Sequence, residues 1–134
     1  MQLFIFTDGG ARGNPGPAAA GIVIKDAQNK VVATFGEYLG ETTNNQAEYR
    51  ALVLALKKAE EIGGTELQCF ADSELMVKQL NHEYKMKNQE LAPLYLKIHN
   101  LSLSFKKISF KHIPREKNKE ADKLVNEVLD NQIK

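Results

Sequence analysis

Four carboxylates stand out along this chain because of where they fall. Asp8 follows the apolar run Leu3-Phe4-Ile5-Phe6 and leads into the glycine-rich stretch Gly9-Gly10-Ala11-Arg12-Gly13-Asn14-Pro15-Gly16-Pro17, which reads as a turn. Asp72 follows a second short apolar strand ending at Ala71. Glu48 falls in the first turns of one helix pattern, and Asp122 lies early in the last one, beside its apolar stripe. Each has an ordinary use on its own. Asp8 suits a turn, Asp72 an N-cap, Glu48 a capping box with Asn45, and Glu48 and Asp122 both suit a helix dipole. Gathered at one place, however, four carboxylates repel one another unless cations occupy the site. Ligation by oxygen alone, without His or Cys, points to hard divalent ions, Mg²⁺ first and Mn²⁺ second. Two such ions between carboxylates are equipment for phosphodiester hydrolysis, one preparing the attacking water and one stabilising the leaving oxygen.

The elements that must position these groups are legible in the hydrophobic pattern. Residues 2–7 predict a strand, nearly all apolar and therefore central in its sheet. Residues 20–25 and 31–39 predict two further strands joined by the polar turn 26–30, as in an antiparallel meander. A helix follows, capped by Thr43 with Gln46 or by Asn45 with Glu48, and stopped at Gly63-Gly64. Residues 66–71 predict a fourth strand, 73–81 a short helix, and 90–103 another helix with Pro93 in its first turn. Residues 108–113 predict the fifth strand. The final helix, about 117–131, carries Ala121, Leu124, Val125, Val128 and Leu129 at i, i+3, i+4, i+7 and i+8. The fold class is therefore α/β, a five-stranded mixed sheet of antiparallel meander plus parallel strands, flanked by helices. A strand-helix-strand link makes the strands before Asp8 and Asp72 parallel neighbours, with both carboxylates at one edge.

With 134 residues, 43% hydrophobic and 26% charged, the expectation is one domain over residues 1–134 with a core that needs no disulfide. The single cysteine, Cys69, lies in an apolar run and fits a buried thiol in a reducing compartment. No signal peptide or membrane-length run is visible, so a cytoplasmic monomer without membrane contact is expected. The net charge of +1 conceals an asymmetry: nine acidic against four basic residues over 26–74, and eleven basic against five acidic over 78–123. A basic flank beside an acidic centre suits a polyanion held next to metal ions, although a solvated surface also explains it.

The segments TDGGARGNPGPAA, TTNNQAEYRAL, ADSELMVKQL and HIPREKNKEADKL resemble the four signature blocks of type 1 ribonuclease H, in order and over essentially the whole chain. The resemblance implies a ribonuclease H-like fold and endonucleolytic cleavage of the RNA strand in RNA–DNA hybrids, leaving 5′-phosphate and 3′-hydroxyl ends. It places Asp8, Glu48, Asp72 and Asp122 on the family's ligands for two metal ions. Asn14, Asn44 and Asn45 fall on hybrid-contacting asparagines, and Thr43 on a DNA-phosphate contact. Glu48 is also implied to meet the ribose 2′-hydroxyl, the group that distinguishes RNA from DNA. Asn and Thr bond sugar and phosphate oxygens without reading a base sequence, and Gly9, Gly10 and Gly13 admit a close backbone approach.

His112 lies ten residues before Asp122, where many members carry an assisting histidine, but it sits in a strand pattern rather than a glycine loop. Arg115 matches an arginine of a family subset and supplies a charge that needs no titration; its ordinary use is a surface pair with Glu116 or Glu120. The tryptophan-rich basic insertion of many members is missing, which leaves Lys85, Lys87 and the basic C-terminal third as candidates for substrate grip. Glu74 stands where the family often has an uncharged amide. Duplex RNA is a second candidate substrate. Two rivals are a non-catalytic hybrid- or duplex-RNA-binding module and a DNA nuclease of the wider superfamily, such as a resolvase.

Overall fold

The apolar run at the N-terminus becomes the middle of the sheet. A computed structural model describes residues 1–133. The chain runs β1 (Gln2–Ala11), β2 (Gly16–Asp26), β3 (Val31–Thr42), α1 (Asn44–Glu61), β4 (Glu66–Ala71), α2 (Glu74–Leu80), α3 (Ala92–Ser102), β5 (Lys107–His112) and α4 (Lys119–Ile133), with a 3-10 turn at Arg115–Lys117 before α4. The sheet order is β3-β2-β1-β4-β5. β1 pairs antiparallel with β2 and parallel with β4, and β4 pairs parallel with β5. This is the mixed five-stranded sheet that the pattern implies.

Side chains alternate across the sheet, so β1 and β2 serve two cores. Leu3, Ile5, Ala18, Ala20, Ile22 and Ile24 are buried against the apolar face of α1, including Leu52, Ala55, Leu56 and Ala59. On the other face Ala19 joins Val125 and Leu129 of α4, with Val128 packed beside them. α4 comes very close to β2 because Gly21 has no side chain: a Cβ there would lie 2.2 Å from the carbonyl oxygen of Ala121. Fully burying each of these Leu or Ile side chains stabilises the fold by about 1.5–3 kcal/mol, so α1 and α4 are held mainly by their apolar stripes. Among the described residues no helix is long and apolar enough to cross a membrane. Cys69 is buried, and burial pushes its thiol pKa upward, which keeps it a protonated core side chain.

One expectation is corrected. Asp8, Gly9 and Gly10 are not in a turn but within β1, whose ladder with β2 continues through Asp8↔Gly21, Gly9↔Ala20, Gly10↔Ala19 and Ala11↔Ala18. The tight hairpin begins only at Arg12, whose N–H donates to the Pro17 carbonyl at 2.8 Å. Glycine is a weak strand former, but small residues stand opposite on β2 and helices press on both faces, so tertiary packing overrides the local preference.

Candidate active site

Parallel pairing of β1 with β4 ends at Thr7↔Ala71. The next residues are Asp8, which stays in register with β2, and Asp72, where the chain leaves the sheet for α2. The divergence of the two strands therefore opens a gap with a carboxylate on each side, at the strand ends where open α/β sheets bind ligands. Glu48 is delivered to the same gap by the first turns of α1. Its carboxylate accepts a hydrogen bond from the Gly9 backbone N–H. One oxygen from each of Asp8, Glu48 and Asp72 lies within 4.8 Å of the others. Asp122, in the first turn of α4, lines the same cleft of about 450 Å³ but stands outside that trio.

The electrostatics are unfavourable without a counter-ion. Asp8 is only 8% exposed and Glu48 7%. Burial, the nearby Asp72 charge and the approach of Asp122 push the Asp8 pKa up to about 7, against the Glu48 contact that lowers it. Glu48 is raised well above the usual carboxylate range by burial, then by Asp8 and Asp72. Three crowded carboxylates and no His or Cys in the trio form an all-oxygen donor set, which fits hard divalent cations. Because the folded Asp8 carboxyl holds its proton up to about pH 7, its contribution is complete below the unfolded value near 3.8 and is lost as pH rises through about 7. Glu48 acts in the same direction. Thermal melts should therefore show Mg²⁺ raising the Tm by about 3–8 °C at pH 8 and by clearly less at pH 5, relative to EDTA. An equal increment at both pH values would contradict the shifts.

Several open alternatives are now decided. Thr43 caps α1: its hydroxyl accepts from the Gln46 N–H at 3.2 Å, completing a capping box. Glu48 is thus released from capping and turns to Gly9. Ser73, not Asp72, caps α2, with its hydroxyl accepting from the Met76 N–H at 3.2 Å. Arg115 pairs with Asp122 at 3.3 Å rather than with Glu116 or Glu120. Gly10, Asn44, Asn45 and Arg115 line the cleft. Asn14 and Thr43 do not line it, but Asn14 supports a residue that does: the Asn14 side chain accepts from the Asn44 N–H at 3.1 Å, and the Asn44 side chain accepts from the Ala11 N–H at 2.8 Å. His112, Glu74, Lys85 and Lys87 are exposed and do not line the cleft. Glu74 instead pairs with Lys78 at 3.2 Å on its own helix.

Reading the sequence missed four residues of this neighbourhood. Arg12 and Asn126 line the cleft. Arg12 had a signal, being the first basic residue in the chain and lying inside the glycine loop. Asn118 is 2% exposed, and its side-chain amide donates to the Thr7 carbonyl at 2.8 Å. Its own carbonyl accepts from the Asp122 N–H at 3.1 Å, so it fixes the start of α4 against the strand that carries Asp8. The spacing of four residues between Asn118 and Asp122 was the available clue. Tyr49 donates to the Gln79 side chain in the core, tying α1 to α2 beside Glu48; nothing local foretold that pairing.

A β3-β2-β1-β4-β5 mixed sheet with carboxylates at the divergence of β1 and β4 defines the ribonuclease H-like class of nuclease folds. Residues 6–128 match the family described as "Reverse transcriptase-like". The chain is 40% identical over 129 residues to ribonuclease HI of Halobacterium salinarum, covering 96% of this chain and 65% of the relative. It is also 40% identical over 131 residues to a bifunctional protein of Mycobacterium tuberculosis, covering 97% of this chain but only 36% of that relative. Thus the chain spans about a third of the mycobacterial protein and just under two thirds of the halobacterial one. The crystal structure of RNase H1 from Halobacterium salinarum superposes with a TM-score of 0.95 at 38% identity, covering 98% of this chain and 99% of that one. An RNase H1 isolated from compost, solved in complex with an RNA/DNA hybrid, superposes at 0.94 with 43% identity and the same coverage. The chain belongs to the type 1 ribonuclease H family.

Proposed function

We propose that this protein is an endoribonuclease that cleaves the RNA strand of RNA–DNA hybrids, with little sequence preference, giving 5′-phosphate and 3′-hydroxyl ends. The observation that carries this reading is the trio Asp8, Glu48 and Asp72 with oxygens within 4.8 Å, beside Asp122 in one cleft. The compost relative crystallised with a hybrid supports the substrate class. Asp8, Glu48 and Asp72 would hold divalent ions, Mg²⁺ ahead of Mn²⁺, and Asp122 would complete the site. Two ions held there would supply activation of water for attack on phosphorus and stabilisation of the leaving 3′-oxygen. The chain's own residues place the strand. Asn44 and Asn45, at the N-terminus of α1, offer amide groups to ribose and phosphate oxygens, and Gly10 leaves room for the sugar. Glu48, held rigidly by Gly9, reads the 2′-hydroxyl. Arg115, 76% exposed beside Asp122, supplies fixed positive charge near the reacting phosphate. His112 and the exposed Lys85 and Lys87 are left as outer contacts of the duplex. All these groups come from one chain, which suits a monomer, and the buried free cysteine suits the cytoplasm.

The decisive assay sets a labelled hybrid, an RNA duplex and a DNA duplex side by side with Mg²⁺, Mn²⁺ and a chelator. Cleavage of the RNA strand of the hybrid, lost in chelator and missing on DNA duplex, is the expected result. Hybrid binding without cleavage in either metal would favour a binding module, and equal cutting of DNA duplex a resolvase-like enzyme.

A further inference from the structure

Among the described residues that line the cleft, only Arg12 and Arg115 carry positive charge, against Asp8, Glu48, Asp72 and Asp122. A polyanion approaching four carboxylates needs cations beside them, and both arginines are held by carboxylates of α4. Arg115 meets Asp122 in the first turn of the helix. Arg12 meets Asp130, nearer the other end, at 2.7 Å, with the Asn126 side-chain oxygen at 3.4 Å. The two guanidinium groups thus belong to different stretches of α4, eight residues apart by their partners.

The Arg12–Asp130 pair does not build the loop that carries it. That hairpin is closed by Arg12 N–H to Pro17, and it is tied to α1 through Asn44, which accepts from Ala11 and donates to Asn14. The two paired side chains are 38% and 65% exposed, and an ion pair that open to water adds little to stability. It is, however, easily exchanged. A phosphodiester presents the same fork of two oxygens sharing one negative charge as a carboxylate does, and arginine binds it through two parallel N–H bonds.

We propose that Arg12 is a phosphate-binding residue for the RNA strand, taking a phosphate next to the scissile one, and that Asp130 is the counter-ion it gives up on binding. This rests on the hybrid-cleaving reading above. Asp130 then acts as a brake on affinity, competing with substrate for the same guanidinium.

Steady-state cleavage of a labelled hybrid by the whole chain tests this over a series of salt concentrations. Arg12→Ala should raise KM about tenfold, the loss expected for one charge-assisted contact, with the change confined largely to KM. It should also reduce the slope of log(kcat/KM) against log[salt] by about one. Asp130→Asn should move the other way, lowering KM by about two- to threefold. Arg12→Lys should fall between parent and Arg12→Ala. Opposite signs for the two partners support an exchanged counter-ion. Equal increases in KM for both, accompanied by equal losses of Tm, would make the pair a strut and overturn the proposal. An Arg12→Ala variant with the parent's KM and salt slope would overturn it as well. Parent protein that neither binds nor cuts the hybrid would overturn the functional reading first, a result separable from either of these.

Discussion

Asp8→Asn is expected to reduce Mg²⁺-dependent cleavage of the hybrid by roughly 10³-fold or more, since loss of a metal ligand exceeds the 10–100-fold cost of disturbing a ligand's neighbour. Asp72→Asn should do the same. Both side chains keep their shape, so the loss isolates the charge. The fold should survive and even gain. At pH 8 without metal, Asp8 is ionised beside Asp72 and Glu48, and its pKa near 7 records how unfavourable that is. Removing the charge should therefore raise the Tm in EDTA by about 2–6 °C while shrinking the further rise on adding Mg²⁺. Circular dichroism melts with and without metal, beside kcat/KM, check both halves. Retained activity in either variant would sink the two-ion assignment. A lower Tm in EDTA would show that the carboxylates stabilise the apo fold, against the burial argument.

Gly9→Ala should be the most damaging single methyl group in the chain's active region. A Cβ on Gly9 would lie 2.3 Å from both the carbonyl carbon and the oxygen of Ala47 and 2.5 Å from the Glu48 nitrogen. These are backbone atoms, so no rotamer relieves the clash, and the start of α1 must retreat from β1. That overpacking is expected to cost about 1–3 kcal/mol. It also withdraws Glu48 from Asp8 and lengthens its bond to the Gly9 N–H. A displacement near 1 Å at the reacting groups costs on the order of 10² in rate. Gly10→Ala is the internal comparison: its Cβ would meet only the Val125 side chain, at an ordinary 3.5 Å. Its stability should change by less than about 1 kcal/mol. Denaturant unfolding of the two variants separates helix displacement from a general intolerance of β1. Similar losses of stability in both would refute the close-approach account.

Gly9 also shows where reading the linear chain goes astray. As part of a glycine-rich stretch it looked like a turn residue that lets a ligand approach. In the fold, the close approach is made by the chain's own helix, between residues 9 and 47 that no local pattern connects. The same holds for the released Glu48. Two capping boxes fit the spacing equally well, and only the Thr43 box leaves Glu48 free to meet Gly9.

The order of elements, the amphipathic faces of α1 and α4 and the central place of β1 were all legible in the chain. They rest on local periodicity and on residue types, which act over a few neighbours. Asp8 and Asp72 could even be placed at one edge, because a strand-helix-strand link sets the direction of its strands. Tertiary structure had to decide the rest: β1 extends past Asp8, Asp122 stands outside the trio, Asn118 fastens α4 to Thr7, and Arg12 reaches Asp130. Those facts depend on contacts separated by about a hundred residues or on strand pairing that outvotes local propensity. Sequence spacing carries no distance across such gaps, and packing supplies it.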